Sequence, residues 1–210
     1  HPPLEAVFTV DEEVGMDGAF ALDCSDLKGK KLLNLDSEDE GVFTVSCAGG
    51  MRADCLLPCT FEPLNGSYCC YGVTLSGLLG GHSGCDIDKG RGSANALMGR
   101  VLYSASENVP NLRLVAIDGG KFDNVICSRC EAVVAVPVDK EAIFEQFLLD
   151  FDATLKNEYA GCDAGITLTG DRTDAVAVAV SPAATKTVLH TLLALPQGVE
   201  EMSADFPGLV

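Results

Sequence analysis

From residue 68 onward, two hydrophobic rhythms follow one another in an order that few folds accept. Residues 68–79 alternate apolar and polar positions, as a strand does. Residues 93–107 place Ala94, Leu97, Met98, Val101 and Leu102 on one side of a helix. Residues 112–117 and 131–138 read as strands. Residues 139–157 give the clearest helix, with Asp139 as its N-cap and an apolar stripe of Ile143, Phe144, Phe147 and Leu148. Two further strands, 165–169 and 175–180, precede a helix over 182–195. Strand, helix, strand, strand, helix, strand is the split βαβ order of a ferredoxin-like α+β sandwich. The expected fold is an antiparallel sheet with helices on one face, extended by one more strand and helix.

The first third of the chain has a different texture. Residues 4–10 form an apolar run that ends in Asp11-Glu12-Glu13-Val14-Gly15, and a short helix is expected from Met16. Residues 31–35 form a second apolar run, which ends in Asp36-Ser37-Glu38-Asp39-Glu40. Two buried strands that each end in carboxylates predict an α/β sheet with a site at its strand tips. Residues 41–47 and 51–59 read as another strand pair, broken at Gly49-Gly50. The turn-rich stretch from Phe61 to Gly66 marks a boundary. Residues 1–62 are read as one α/β segment and 63–210 as a second domain.

Charge and length exclude several classes of function. The 210 residues carry 31 acidic against 14 basic side chains, a net charge of −17, so the basic footprint of a nucleic-acid binder is missing. The same charge disfavours anionic membrane surfaces. No apolar run reaches the ~20 residues that span a bilayer. The opening His1-Pro2-Pro3-Leu4 carries no basic and apolar leader. The ten cysteines are therefore expected as reduced thiols in a cytoplasmic protein. Cys127-Ser128-Arg129-Cys130, Cys55 with Cys59, and Cys69-Cys70 lack the paired knuckles of a structural zinc site. Most of them are read as small buried hydrophobes.

Three stretches can carry chemistry. In Asp11-Glu12-Glu13, one carboxylate can ligate a metal while its neighbour handles protons; a bare Glu-Glu pair is more often a solvated loop. Asp36 alone is an acidic turn, but it lies at the end of a strand in the same short region. In Gly80-Gly81-His82-Ser83-Gly84, glycines around one histidine let the backbone approach a ligand and leave the imidazole exposed. That loop is not expected to hold regular structure.

Taken together, these stretches resemble the aminoacyl-histidine (Xaa-His) dipeptidase branch of the dinuclear zinc exopeptidases. The resemblance rests on T-V-D-E-E-V-G-M-D-G-A from Thr9 and N-L-D-S-E-D-E-G from Asn34. It continues through C-A-G-G from Cys47 and L-S-G-L-L-G-G-H-S-G from Leu75, then Gly90, Asn95, Arg100, Gly119-Gly120 and Asp123-Asn124. It implies that residues 1–62 are a partial catalytic-domain segment and that residues 63–210 are the lid, or dimerisation, domain. By resemblance, Glu12 matches the general base that activates a metal-bridging water. Glu13 matches a zinc ligand, and Asp36 a ligand of the second zinc. His82 is similar to the lid histidine that polarises the scissile carbonyl, and Asn124 to a lid residue that holds substrate. The resemblance implies two zinc ions per active site in the intact enzyme, a dipeptide substrate and a homodimer through the lid.

Two departures stand out. Family members often read Ile-Pro-Arg after the asparagine, whereas this chain has Ile126-Cys127-Ser128-Arg129, which turns the arginine to the opposite face of a strand. The family's remaining metal ligands also lack counterparts: His1, His82 and His190 are the only histidines, and none matches a ligand position. The chain is thus expected to be a portion of a zinc dipeptidase, inactive by itself and holding no zinc tightly. The alternatives are a related di- or tripeptidase or deacylase, or an oligomerisation module only.

Overall fold

A computed structural model describes residues 3–34, 40–45 and 49–206. The chain divides into two compact units, His1–Asp54 and Cys55–Val210.

The first unit holds little regular structure among its described residues: a 3-10 turn over Glu12–Val14 and the four-residue helix α1, Asp17–Phe20. The helix expected from Met16 is present but short. The buried strands expected at 4–10 and 31–35 are not. Leu35 lies outside the described residues, and the rest of both runs is exposed, with Phe8 at 91% and Leu33 at 82%. The strand pair expected at 41–47 and 51–59 is likewise absent among the described residues. A strand forms only where a neighbour takes up its backbone hydrogen bonds. No described residue of this unit supplies that neighbour or a covering apolar face.

The second unit follows the expected order closely. Its elements are β1 (Phe61–Pro63), β2 (Tyr68–Ser76), β3 (Gly81–His82), α2 (Ala94–Asn108), β4 (Arg113–Gly119), β5 (Val125–Ile126) and β6 (Cys130–Pro137). They continue with α3 (Glu141–Glu158), β7 (Thr167–Thr173), β8 (Val178–Val180) and α4 (Pro182–Ala194). The main sheet is antiparallel in the order β4-β6-β2-β7. Its two central strands are the first and third of the βαββαβ run, which is the ferredoxin-like arrangement. The extra strand does not extend this sheet. β8 pairs with β1 instead, Phe61 opposite Val180, as a separate antiparallel ribbon. β1 spans the boundary read at residue 62 and belongs with the second unit.

The core lies between the sheet and the helices. Tyr71, Val73 and Leu75 of β2 and Val134 and Val136 of β6 meet Leu97, Met98, Val101 and Leu102 of α2 and Phe144, Leu148 and Leu155 of α3. Tyr71 and Phe144 pack edge-on, with ring centroids 5.2 Å apart. Asp139 is not the cap of α3. It sits in a 3-10 turn over Val138–Lys140, and Lys140 takes the N-cap position. Ile143 is also off the buried stripe, at 48% exposure, because the helix presents Phe144, Leu148 and Leu155 to the sheet. α4 starts as its sequence suggests, with Pro182 at its first turn and Ser181 accepting the Ala184 N–H at 3.2 Å.

Candidate functional site

In the first unit, the acidic motif is wound into a tight knot. Asp11 and Met16 both adopt left-handed backbone, with φ of 61° and 64°, a conformation that non-glycine residues seldom take. The Met16 N–H donates to the Asp11 carbonyl at 2.7 Å, and the Gly18 N–H to Val10 at 3.2 Å. A Cβ on Gly18 would fall 2.5 Å from the Val10 nitrogen, so only glycine lets the chain close here. Glu12 and Glu13 ride on the enclosed 3-10 turn and are exposed. The carboxylates thus follow the apolar run on a turn, not at the tip of the buried strand expected there. Asp36 lies outside the described residues.

The donor set does not by itself make up a metal centre. Among the described residues, no three His, Cys, Asp or Glu side chains converge. A catalytic zinc takes three protein ligands, and Glu13 alone does not fit that requirement.

In the second unit, His82 lies in β3, which pairs with β5 so that His82 stands opposite Val125. The loop expected to be irregular therefore contains a two-residue strand. The Ser83 N–H donates to the Asn124 carbonyl at 2.9 Å. His82, in β3, and Asn124, in the turn just before β5, thus lie side by side at one end of the short ribbon, His82 exposed and Asn124 half-buried. The imidazole Nδ1 accepts the N–H of Gly84 at 3.0 Å and of Cys85 at 3.4 Å. A nitrogen that accepts carries no proton, so the neutral ring holds its proton on Nε2.

Glycines make this ribbon possible. Gly80 and Gly81 have φ of 64° and 141°, and a Cβ on Gly80 would lie 3.0 Å from the Ile126 carbonyl. The ribbon is anchored from below by Asp163, which is fully buried. One of its oxygens accepts the Leu79 N–H at 2.7 Å, the other the Gly92 N–H at 2.7 Å. Those two residues bracket the whole His82 loop. Beside the ribbon lies a cavity of about 520 Å³, lined by Ser83, Arg91, Asn95, Gly120, Val125 and Tyr159 among others.

Several motif residues turn out to be brackets. The Asn95 side chain donates to the Gly119 carbonyl at 3.2 Å and accepts from Cys127 Sγ at 3.4 Å. Arg100 makes a two-pronged pair with Glu158, at 2.5 and 2.8 Å, and lies over the Phe151 ring. Arg129 is exposed and pairs with Glu131 on the adjoining strand. The nine described cysteines are all free thiols. Cys130 is buried, and burial, with Cys127 beside it, pushes its thiol up to about 12. Such a thiol is a core side chain, not a nucleophile.

Sequence reasoning gave no role to Asp86, Arg91 or Asp163. Asp86 accepts the His82 N–H at 2.9 Å and the Lys89 ammonium at 2.5 Å. The Lys89 contact, then the His82 N–H, holds its carboxyl below the ordinary carboxylate range. Its closeness to His82 in sequence was a usable signal. Asp163 offered none, because its partners lie 84 and 71 residues away.

The chain matches the peptidase dimerisation domain over residues 73–162, a stretch that begins within β2 and ends just past α3. Over all 210 residues it is 36% identical to the cytosol non-specific dipeptidase of Escherichia coli (strain K12), of which it spans 43%. The crystal structure of aminoacylhistidine dipeptidase from Vibrio alginolyticus superposes on 96% of the chain with a TM-score of 0.76 and 32% identity. The chain covers 41% of that protein, so it spans about two fifths of the length of these relatives. The motif string, the ferredoxin-like sheet order and the match over 73–162 agree: the second unit resembles the M20 peptidase dimerisation domain, and the whole chain is similar to about two fifths of two dipeptidases.

Proposed function

We propose that this chain supplies part of the catalytic segment and the lid of a metal-dependent dipeptidase. The observation that carries the reading is the His82 ribbon. A neutral imidazole, capped at Nδ1 and protonated at Nε2, offers one fixed N–H donor to solvent beside Asn124. Such a donor can hydrogen-bond a peptide carbonyl and bind its oxygen more strongly as negative charge develops there. Asn124, in the turn that leads into the facing strand, is proposed to hold the substrate. Glu12 is proposed as the base that takes the proton of the attacking water.

Glu13 and Asp36 are proposed as zinc ligands in a two-zinc centre. Its remaining ligands would come from outside the described residues, because those present do not complete a site. The functional boundary is proposed near residue 62, with 63–210 as the lid. Homodimerisation through the lid is supported by the match to a dimerisation domain and by β7, which ends the main sheet on one side. A cytoplasmic location agrees with the free thiols and with the name of the Escherichia coli relative.

Substrate choice separates two readings, since one relative is named for aminoacylhistidine and the other as non-specific. The test is turnover by the full-length enzyme, with added zinc or manganese, on dipeptides with and without a C-terminal histidine. A preference for Xaa-His substrates supports the first reading, and equal rates on both sets support the broader one. No hydrolysis of either set would leave only the third reading, an oligomerisation module, and would refute the proposal.

A further inference from the structure

We infer that Asp86, supported by Arg91, is a positioning residue that presents the His82 imidazole in one orientation and one tautomer. The inference rests on reading His82 as the carbonyl-polarising donor. An imidazole on an exposed two-residue strand has two torsions free to rotate, and a neutral ring has two tautomers. Both freedoms are removed only if the Gly84 and Cys85 N–H groups stay converged on Nδ1, at 3.0 and 3.4 Å. Those two groups belong to the turn from His82 to Asp86, so whatever closes that turn fixes the ring.

Asp86 closes it from both sides. Its backbone N–H donates to the His82 carbonyl at 2.9 Å, and its Oδ2 accepts the His82 N–H at 2.9 Å. Its other oxygen meets Lys89 at 2.5 Å and Arg91 at 3.4 Å. Arg91 then reaches past it and donates to the Gly80 carbonyl at 2.5 Å. The clamp thus grips the chain on either side of Gly81. An independent feature agrees. A Cβ on Gly81 would fall 2.4 Å from Arg91 Nη1 and 2.5 Å from Asp86 Oδ2. The second glycine of the motif is required by the clamp as well as by its own φ of 141°. Asp86 is only partly buried, with 18% of its side chain exposed, and the turn is open to water. Losing the carboxylate therefore costs little stability, and its effect falls on the geometry of the ring.

The test is a double-mutant cycle in the full-length metal-loaded enzyme, using wild type, His82→Ala, Asp86→Ala and the double variant, with Asp86→Asn as the conservative control. Misplacing a catalytic group by about 1 Å can cost about 100-fold. Asp86→Ala should lower kcat about 10–100-fold, with KM and metal content near wild type. Asp86→Asn should recover much of this, because its amide oxygen still accepts the His82 N–H. In the His82→Ala background, Asp86→Ala should cause no further loss, because no ring is left to position. Nitrogen-15 NMR of the His82 ring should show the Nε2–H tautomer in wild type and a tautomer mixture in Asp86→Ala. Wild-type kcat and an unchanged tautomer in Asp86→Ala would overturn the inference, as would an equal loss in the His82→Ala background. Full activity of His82→Ala would instead remove the reading of His82, and the positioning role with it.

Discussion

Asp163 shows how one side chain can hold a site it does not belong to. It is buried without exposure and spends both carboxylate oxygens on backbone N–H groups, Leu79 before the His82 loop and Gly92 after it. Replacing it by alanine strands two N–H groups, each worth about 1–3 kcal/mol when buried and unmade. Asp163→Ala should therefore lower stability by about 2–6 kcal/mol in urea titration, whereas a loss under about 0.5 kcal/mol would show that water replaces it freely. Asp86 gives a prediction in pH. Its carboxyl lies below the ordinary value of 3.8, chiefly through Lys89 and the His82 N–H. A lowered acid contributes its interactions fully above its unfolded value and loses them as pH falls through the folded one. The His82 amide should therefore stay protected from hydrogen exchange from neutral pH down to the ordinary carboxylate range, and lose protection only in stronger acid. Loss of protection already near neutrality would mean that another group holds the turn. At this scale the sequence was partly legible. His82 and its glycines could be read, as could the pairing of Glu12 with Glu13. The partners of Asp163 could not, because a contact made across the fold leaves no local pattern.

At the scale of elements, periodicity worked where elements were long. α2, α3 and the four strands of the main sheet lie within a few residues of where their hydrophobic spacing put them. The failures have separate physical causes. β3 and β5 are two residues each, too short for any rhythm to show, and they form because each supplies the other's hydrogen bonds. β8 reads as a strand but not as a partner of β1, since pairing is a property of two segments. The stripe of α3 was read one residue too wide, with Ile143 included. The geometry separates the members sharply. Phe144→Ala should cost about 3–5 kcal/mol, because it empties a site packed edge-on by Tyr71. Ile143→Ala, on the solvent side, should stay within about 0.5 kcal/mol. Equal losses by thermal or urea melting would show that α3 packs on a different face.

At the scale of the molecule, the two units differ in how far their sequence accounts for them. The second unit buries a continuous core and realises the expected sandwich. The first presents Phe8, Leu32, Leu33, Phe43 and Met51 to solvent, so its apolar runs predict burial that its own described residues do not provide. This chain alone should therefore show no turnover of Xaa-His dipeptides above a metal-only control. Activity lost on Glu12→Gln would contradict that. Light scattering should show a dimer, and a monomer at high protein concentration would count against the lid as the interface. The most direct measurement is kcat and bound metal for His82→Ala in the full-length enzyme. Removing one oxyanion donor typically costs about 10²–10³ in kcat. A loss of that size with metal content unchanged is the expected result; full activity, or loss of the metal, would contradict the role given to His82.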